Sequence, residues 1–119
     1  MLNKSTKPKD SMRKIESQMN AAISNSEDFK SANTRVENID GVSFVFLHGN
    51  KIAEVGDRFI RLFDGGWQSN TTKSRLNAIL SEHGLPGEGI FQKKFEWFIT
   101  LRTSGGLDTV PFFSSMRLA

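Results

Sequence analysis

The chain of 119 residues contains no cysteine, which excludes a disulfide framework, a thiolate metal site and a cysteine nucleophile. A chain without thiols sits easily in a reducing compartment. No apolar run approaches the roughly 20 residues that a bilayer-spanning helix requires. Lysines occur among the first nine residues, but no apolar stretch follows them, so no secretory leader is expected and the cytoplasm is the default location. Apolar residues make up 37% of the chain, below the usual globular share, because both ends are polar. The two histidines, His48 and His83, stand far apart and in neither an H-x3-H nor an H-E-x2-H pattern, so no zinc site is expected. A Walker A loop is missing too, which removes nucleotide hydrolysis by that route. No constellation meets the requirements of an active site, and neither enzyme activity nor a cofactor is expected.

What is present is basic. Lysine and arginine number 16 against 13 acidic residues, for a formal charge of +3 and a pI near 9.5. That balance favours polyanionic partners, although a few units of charge also keep any small domain soluble. Residues 1–10, with Lys4, Lys7, Pro8 and Lys9, read as a disordered basic arm, and residues 11–119 as a single α+β domain. From Asp10, a plausible N-cap, Met12, Ile15, Met19, Ala22 and Ile23 form one helical stripe that ends near Ser24-Asn25-Ser26.

The middle of the chain is β structure. A short strand near Thr34 to Ile39 precedes Phe44 to His48, which turns at Gly49-Asn50 into Lys51 to Val55. Gly56-Asp57 then turns into Arg58 to Phe63. With two residues in each turn, Phe44, Phe46, Ala53, Val55, Ile60 and Leu62 share one face. Val45, Leu47, Ile52, Phe59 and Phe63 share the other, together with Glu54 and Arg61. Two apolar faces call for cover on both sides, by helices on opposite faces or by a second subunit, so a homo-oligomer is expected. A helix from about Thr71 to His83 carries Thr72, Leu76, Ile79, Leu80 and His83 on its apolar stripe and Ser74 opposite, and Gly84 stops it. Phe91 to Leu101 alternates as half-buried strand, with Trp97 in the core and a fold at Lys93-Lys94, and a last strand lies near Thr109 to Phe113. The expected architecture is a small antiparallel meander with an N-terminal amphipathic helix and one central helix, in α-β-β-β-β-α-β-β order.

The stretch that draws a functional reading is Gly65-Gly66-Trp67-Gln68-Ser69-Asn70-Thr71-Thr72-Lys73-Ser74-Arg75. Asn70 or Thr71 can cap the helix. Lys73 and Arg75 fall near its start, where the helix dipole disfavours cations. Free N–H groups, the Thr71 and Thr72 hydroxyls and two cations there suit a phosphate. The plainer alternative is that both cations are solvated, or that Arg75 pairs with Glu54 or Glu82. Trp67 can stack on a base, although a Trp so placed more often caps a small core. His48 at a hairpin tip and Lys93 beside Phe91 and Phe95 complete the candidate ligand-binding set.

Taken in order, Asn33-Thr34-Arg35-Val36, Leu47-His48-Gly49-Asn50-Lys51-Ile52-Ala53, Gly65-Gly66-Trp67-Gln68, Thr71-Thr72-Lys73-Ser74-Arg75-Leu76-Asn77 and Phe91-Gln92-Lys93-Lys94-Phe95-Glu96-Trp97 resemble a family of small proteins carried by tailed bacteriophages, over about residues 33 to 99. The resemblance implies an origin in a phage genome, where small accessory proteins commonly bind host proteins, nucleic acid or the nucleotide signals of host defence. The expected function is therefore non-enzymatic binding of a phosphate-bearing ligand, most simply nucleic acid. A counter-defence protein that sequesters a nucleotide messenger and a protein-protein inhibitor of a host enzyme are the alternatives. A membrane partner is not expected.

Overall fold

The helical stripe at the start of the chain becomes helix α1 (Lys14–Asn25) in the computed structural model, which describes residues 13–118. The proposed basic arm, Asp10 and Met12 lie outside the described residues. Arg13 takes the N-cap position, and its N–H donates to Glu16 Oε1 at 3.4 Å. Ser26, in the left-handed region, closes the helix as the Ser24-Asn25-Ser26 signal predicts.

Five antiparallel strands follow: β1 (Phe29–Ser31), β2 (Thr34–Ile39), β3 (Val42–Leu47), β4 (Asn50–Val55) and β5 (Ile60–Leu62). Helix α2 (Asn70–His83) comes next, then β6 (Gly89–Lys93), β7 (Glu96–Thr103), β8 (Gly106–Pro111) and β9 (Met116–Leu118). The α+β class holds, with nine strands among the described residues where six were expected: β1 precedes the expected set, β9 follows it, and the Phe91 to Leu101 stretch is divided between two strands, β6 and β7. Strand β9 returns beside β5, giving a six-stranded sheet β1-β2-β3-β4-β5-β9, while β6-β7-β8 form a separate three-stranded sheet.

The register of the first hairpin differs from the sequence reading. Its turn is His48-Gly49, not Gly49-Asn50, and both residues have positive φ (53° and 81°), as a type I′ turn requires. Leu47 therefore faces Asn50 and Phe46 faces Lys51. A β-bulge follows, so that Val45 faces Ala53 and the intervening Ile52 is left over; both Ile52 and Ala53 turn inward. The buried face is thus Val45, Leu47, Ala53, Val55, Ile60 and Leu62. Phe44 and Phe46 belong to the other face, with Glu54 and Arg61. One residue of slip exchanges the two faces of a strand, and that is what happened to the predicted set. The turn into β5 is also longer than two residues: Val55 pairs with Ile60, and the Gly56 N–H donates to the Phe59 carbonyl at 2.9 Å. A Cβ at position 56 would lie 2.3 Å from the Phe59 ring, so any larger residue there would have to displace that ring.

Both helices sit on the buried face. Helix α1 packs on β2 and α2, and α2 packs on β4 and β6, which places Met19, Ala22 and Ile23 with Val36, Val45, Leu76 and Ile79 in one core. The small sheet is pinned to α2 by Asn77, whose Oδ1 accepts from the Ile90 N–H (2.6 Å) while its Nδ2 donates to the Ile90 carbonyl (2.9 Å). Trp97 is buried as predicted and meets Phe112 edge-on at 5.5 Å. The β6–β7 turn is centred on Lys94-Phe95 instead of Lys93-Lys94, which throws Phe95 out of the alternation and leaves it 93% exposed. No helix of the described residues is long and apolar enough to cross a membrane.

Candidate functional site: two clefts around the His48 turn

Helix α2 begins at a serine that the sequence reading passed over. Ser69 is the N-cap, and its Oγ accepts from the Thr72 N–H at 3.1 Å and lies 3.0 Å from the Thr72 hydroxyl. Asn70 and Thr71 are the first helical residues, with N–H groups that have no intrahelical acceptor. Ahead of the cap, Gly65 and Gly66 are both left-handed (φ 70° and 89°) and swing the chain so that Trp67 projects into solvent, 76% exposed. Trp67 does not cap a core.

Between this segment and the first hairpin lies a cleft of about 350 Å³. Leu47 and Ile52 form its apolar floor, and His48, Asn50, Trp67, Ser69, Thr71 and Thr72 line its walls. Its one charged lining group is Asp64, whose carboxylate is turned onto its own loop: Oδ1 accepts from the Gly66 N–H at 2.8 Å and Oδ2 from Gln68 Nε2 at 3.3 Å. The cleft is therefore a hydroxyl-rich and amide-rich slot with one carboxylate turned onto its own loop and an exposed indole at its mouth, a setting suited to a flat ring.

A second cleft, of about 380 Å³, opens on the other side of the same turn. Lys30, Asn33, Thr34 and Arg35 line it, together with His48 and Gly49. It has two cations and no lining carboxylate, although Arg35 is also ion-paired with Glu37 at 2.9 Å. The His48 N–H donates to the Asn33 carbonyl at 2.8 Å, which holds the β1–β2 and β3–β4 turns side by side and makes His48 the wall that both clefts share.

Arg75 has a different place from the one predicted. Its side chain is 4% exposed, and its Nη1 donates to Glu16 Oε2 at 2.8 Å. Nε donates to Thr34 Oγ1 (3.0 Å) and Nη2 to Asn33 Oδ1 (3.2 Å). The carboxylate of Glu16 also accepts from the Ser74 hydroxyl at 2.6 Å. The partner is neither Glu54 nor Glu82 but a glutamate on α1, and Arg75 ties α1, α2 and the β1–β2 turn together. It stands behind the second cleft and orients two of its walls, Asn33 and Thr34.

Of the eight predicted site residues, the fold thus gathers His48, Trp67, Thr71 and Thr72 at one cleft. Asn70 is exposed beside it, Lys73 is half-buried without lining either cleft, Arg75 is internal, and Lys93 is on the other sheet. Sequence reasoning missed Ser69, Asn50 and the Lys30–Arg35 wall. A signal existed for Ser69, because serine is among the residues most favoured at an N-cap. Nothing local marks the Lys30–Arg35 wall, which becomes a site only when two hairpin turns meet.

The titration of His83, the other histidine, is shifted downward, chiefly because burial disfavours its charged form and in spite of the nearby Glu82. Among the described residues no group of three or more His, Cys, Asp or Glu side chains is placed to hold a metal ion.

No curated protein and no solved structure matches the chain. A family model does, from residue 12 to residue 119, almost the whole length and well beyond the span on which the resemblance to phage proteins rests. The chain belongs to the Kyanoviridae Gp96 protein family, a family of tailed bacteriophages.

Proposed function

We propose that this phage protein is a non-enzymatic binder of a phosphate-bearing ligand in the host cytoplasm, nucleic acid being the simplest, and that one nucleotide unit lies across the two clefts. The carrying observation is their division of labour around His48. On one side stands an exposed Trp67 over a polar slot whose single carboxylate, Asp64, is turned onto its own loop, and on the other Lys30 and Arg35 with no lining carboxylate. A base stacked on the indole would reach its phosphate past His48 to the two cations, and the uncapped N–H groups of Asn70 and Thr71 add donors beside the slot. The charge comes from β1 and β2, not from Lys73 and Arg75.

Trp67 makes the reading testable, because Trp97 is buried and Trp67 reports the cleft. Nucleoside monophosphates should quench Trp67 emission saturably. Lys30→Ala should weaken that binding by about 1.5–3 kcal/mol, the range for hydrogen bonds to charged groups, and leave the weaker binding of the plain nucleoside unchanged. Absence of saturable quenching, or equal loss for nucleotide and nucleoside, would overturn the reading. A nucleotide messenger of host defence offers the same chemistry as a nucleic-acid strand. The two separate by salt, since strand binding weakens steeply as counterions are released and a pocketed small ligand is far less sensitive.

A further inference from the structure

The face of the large sheet turned away from the helices carries Phe44, Phe46, Phe59 and Phe63, each half-buried and outside the core. Register fixes what surrounds them. Glu37, Phe44, Glu54, Arg61 and Arg117 follow one another across β2, β3, β4, β5 and β9, and Arg35, Phe46 and Lys51 form a parallel row. The rings lie against cations: the Arg35 guanidinium is 4.1 Å from the Phe46 centroid, Lys51 Nζ is 4.6 Å from that of Phe63, and the Arg117 guanidinium is 4.7 Å from that of Phe59.

Charge on this face is unbalanced. Five cations, Lys30 (opposite Arg35 on β1), Arg35, Lys51, Arg61 and Arg117, meet two carboxylates, and both carboxylates are already engaged, Glu37 with Arg35 and Glu54 with Lys51. Arg61 and Arg117 stand directly opposite each other on β5 and β9, and among the described residues neither has a carboxylate partner. Arg61 Nε is buried with no hydrogen-bond acceptor. Like charges facing across a strand pair destabilise it, and a desolvated donor without an acceptor costs more. Two guanidinium groups that face each other without a carboxylate favour a bound anion.

A second copy of this chain would bring the same excess of positive charge to the contact. A nucleic-acid strand brings phosphate. Alternate residues of a strand are roughly 6.6 Å apart, about twice the roughly 3.4 Å rise per base in one strand of a duplex. Phe44 and Phe46 therefore suit bases drawn out of their stack, one ring to a base, whereas a duplex keeps its bases inside. We infer that the outer face of the large sheet is a platform for single-stranded nucleic acid, with bases on the Phe44–Phe46 strand and phosphates on Arg61 and Arg117. This surface adjoins the second cleft at Lys30 and Arg35, but Phe44, Phe46, Arg61 and Arg117 line neither cleft, and the inference does not rest on the reading of the clefts.

Fluorescence anisotropy with a labelled oligothymidylate of about 12 nucleotides, within the usual site sizes of single-strand binders, tests it against a duplex of the same length. The single strand should bind more tightly than the duplex. Arg61→Gln with Arg117→Gln should weaken single-strand binding about tenfold or more and flatten the slope of log K against log salt by about 1.4, since each phosphate contact on a single strand contributes about 0.7. Phe44→Leu with Phe46→Leu keeps apolar volume, so it should weaken binding by a similar factor with the salt slope unchanged and the melting curve near wild type. In Trp67→Ala, mononucleotide binding followed by calorimetry should be lost, while oligothymidylate should still lose affinity when Phe44 and Phe46 are also changed to Leu, so the two readings fail separately. The inference is overturned if no single strand binds at low salt, if duplex binds as well, or if the double Arg variant keeps the wild-type slope. It is equally overturned if light scattering shows a dimer that Phe44→Leu with Phe46→Leu dissociates, because the second copy then owns this face.

Discussion

Arg75 shows how much a single side chain can change roles between sequence and fold. Near a helix start it reads as spare positive charge; in the fold its three nitrogens are spent on Glu16, Thr34 and Asn33. Removing one partner of a buried pair leaves the other desolvated and unmatched, so Arg75→Ala should cost about 3–5 kcal/mol in a urea titration. Ser74→Ala, which looks neutral on a helical wheel, should cost about 1.5 kcal/mol through its hydrogen bond to the same carboxylate. Stability unchanged in both variants would show that Glu16 is solvated and the network idle. His83 supplies a pH effect of definite sign. Its folded pKa lies below the ordinary value of 6.5, because burial resists protonation more than nearby Glu82 favours it. Its contribution is therefore fully present above pH 6.5 and is lost as pH falls from there through the lowered folded pKa. Melting temperatures of wild type and His83→Leu, compared at neutral and mildly acidic pH, should show a smaller acid drop in the variant; equal drops would assign the acid sensitivity to other groups.

At the scale of elements, the turns carry the information that the alternation of strands does not. Lys94 and Phe95 occupy the centre of a two-residue turn with φ of 51° and 68°, and a bulky residue at positive φ is an outlier that costs of order 1–3 kcal/mol. Lys94→Asn with Phe95→Gly supplies the residues that a type I′ turn prefers, and should raise the melting temperature by several degrees. A fall would show that the exposed Phe95 ring makes a stabilising contact. The same chemistry explains what was legible. Helix α2 was readable because Leu76, Ile79 and Leu80 keep helical spacing and Gly84 stops it; α1 was readable from Met19, Ala22 and Ile23. The hairpin existed where expected, yet its faces came out exchanged. A histidine takes left-handed φ at position 48, and an extra residue at Ile52 resets the pairing, and neither leaves a local mark in an alternating sequence. Glu16 did leave one. It stands three residues before Met19 and four before Asn20 on the buried side of α1, and a buried carboxylate demands a cation. The cation it demanded was 59 positions away, beyond the reach of any local rule.

Across the whole molecule, cooperativity depends on how the second sheet is attached. One core runs from Met19 on α1 through Val45 and Leu62 of the large sheet to Leu76 and Ile79 on α2, and on to Ile90, Trp97 and Ile99 of the small sheet. The β6–β7–β8 sheet shares no strand pairing with the large one. Its attachment consists of the paired hydrogen bonds from Asn77 to Ile90, the packing of Ile90 and Ile99 into the core, and the chain itself, which leaves β8 through Phe112 to pair β9 against β5. A three-stranded sheet with one apolar face is marginal alone and gains its stability from what covers that face. The small sheet should therefore not outlive α2, and β9 should not stay paired once β8 has melted. In a Trp67→Phe background, Trp97 emission reports the small sheet and far-UV circular dichroism reports mainly the helices. Their thermal transitions should coincide, as they do in a two-state domain of this size. Asn77→Ala should move both curves down together. If Trp97 melts several degrees before the helices, and Asn77→Ala widens the gap, then β6–β8 is a separately unfolding unit docked on α2, and the chain works as two cooperative pieces instead of one.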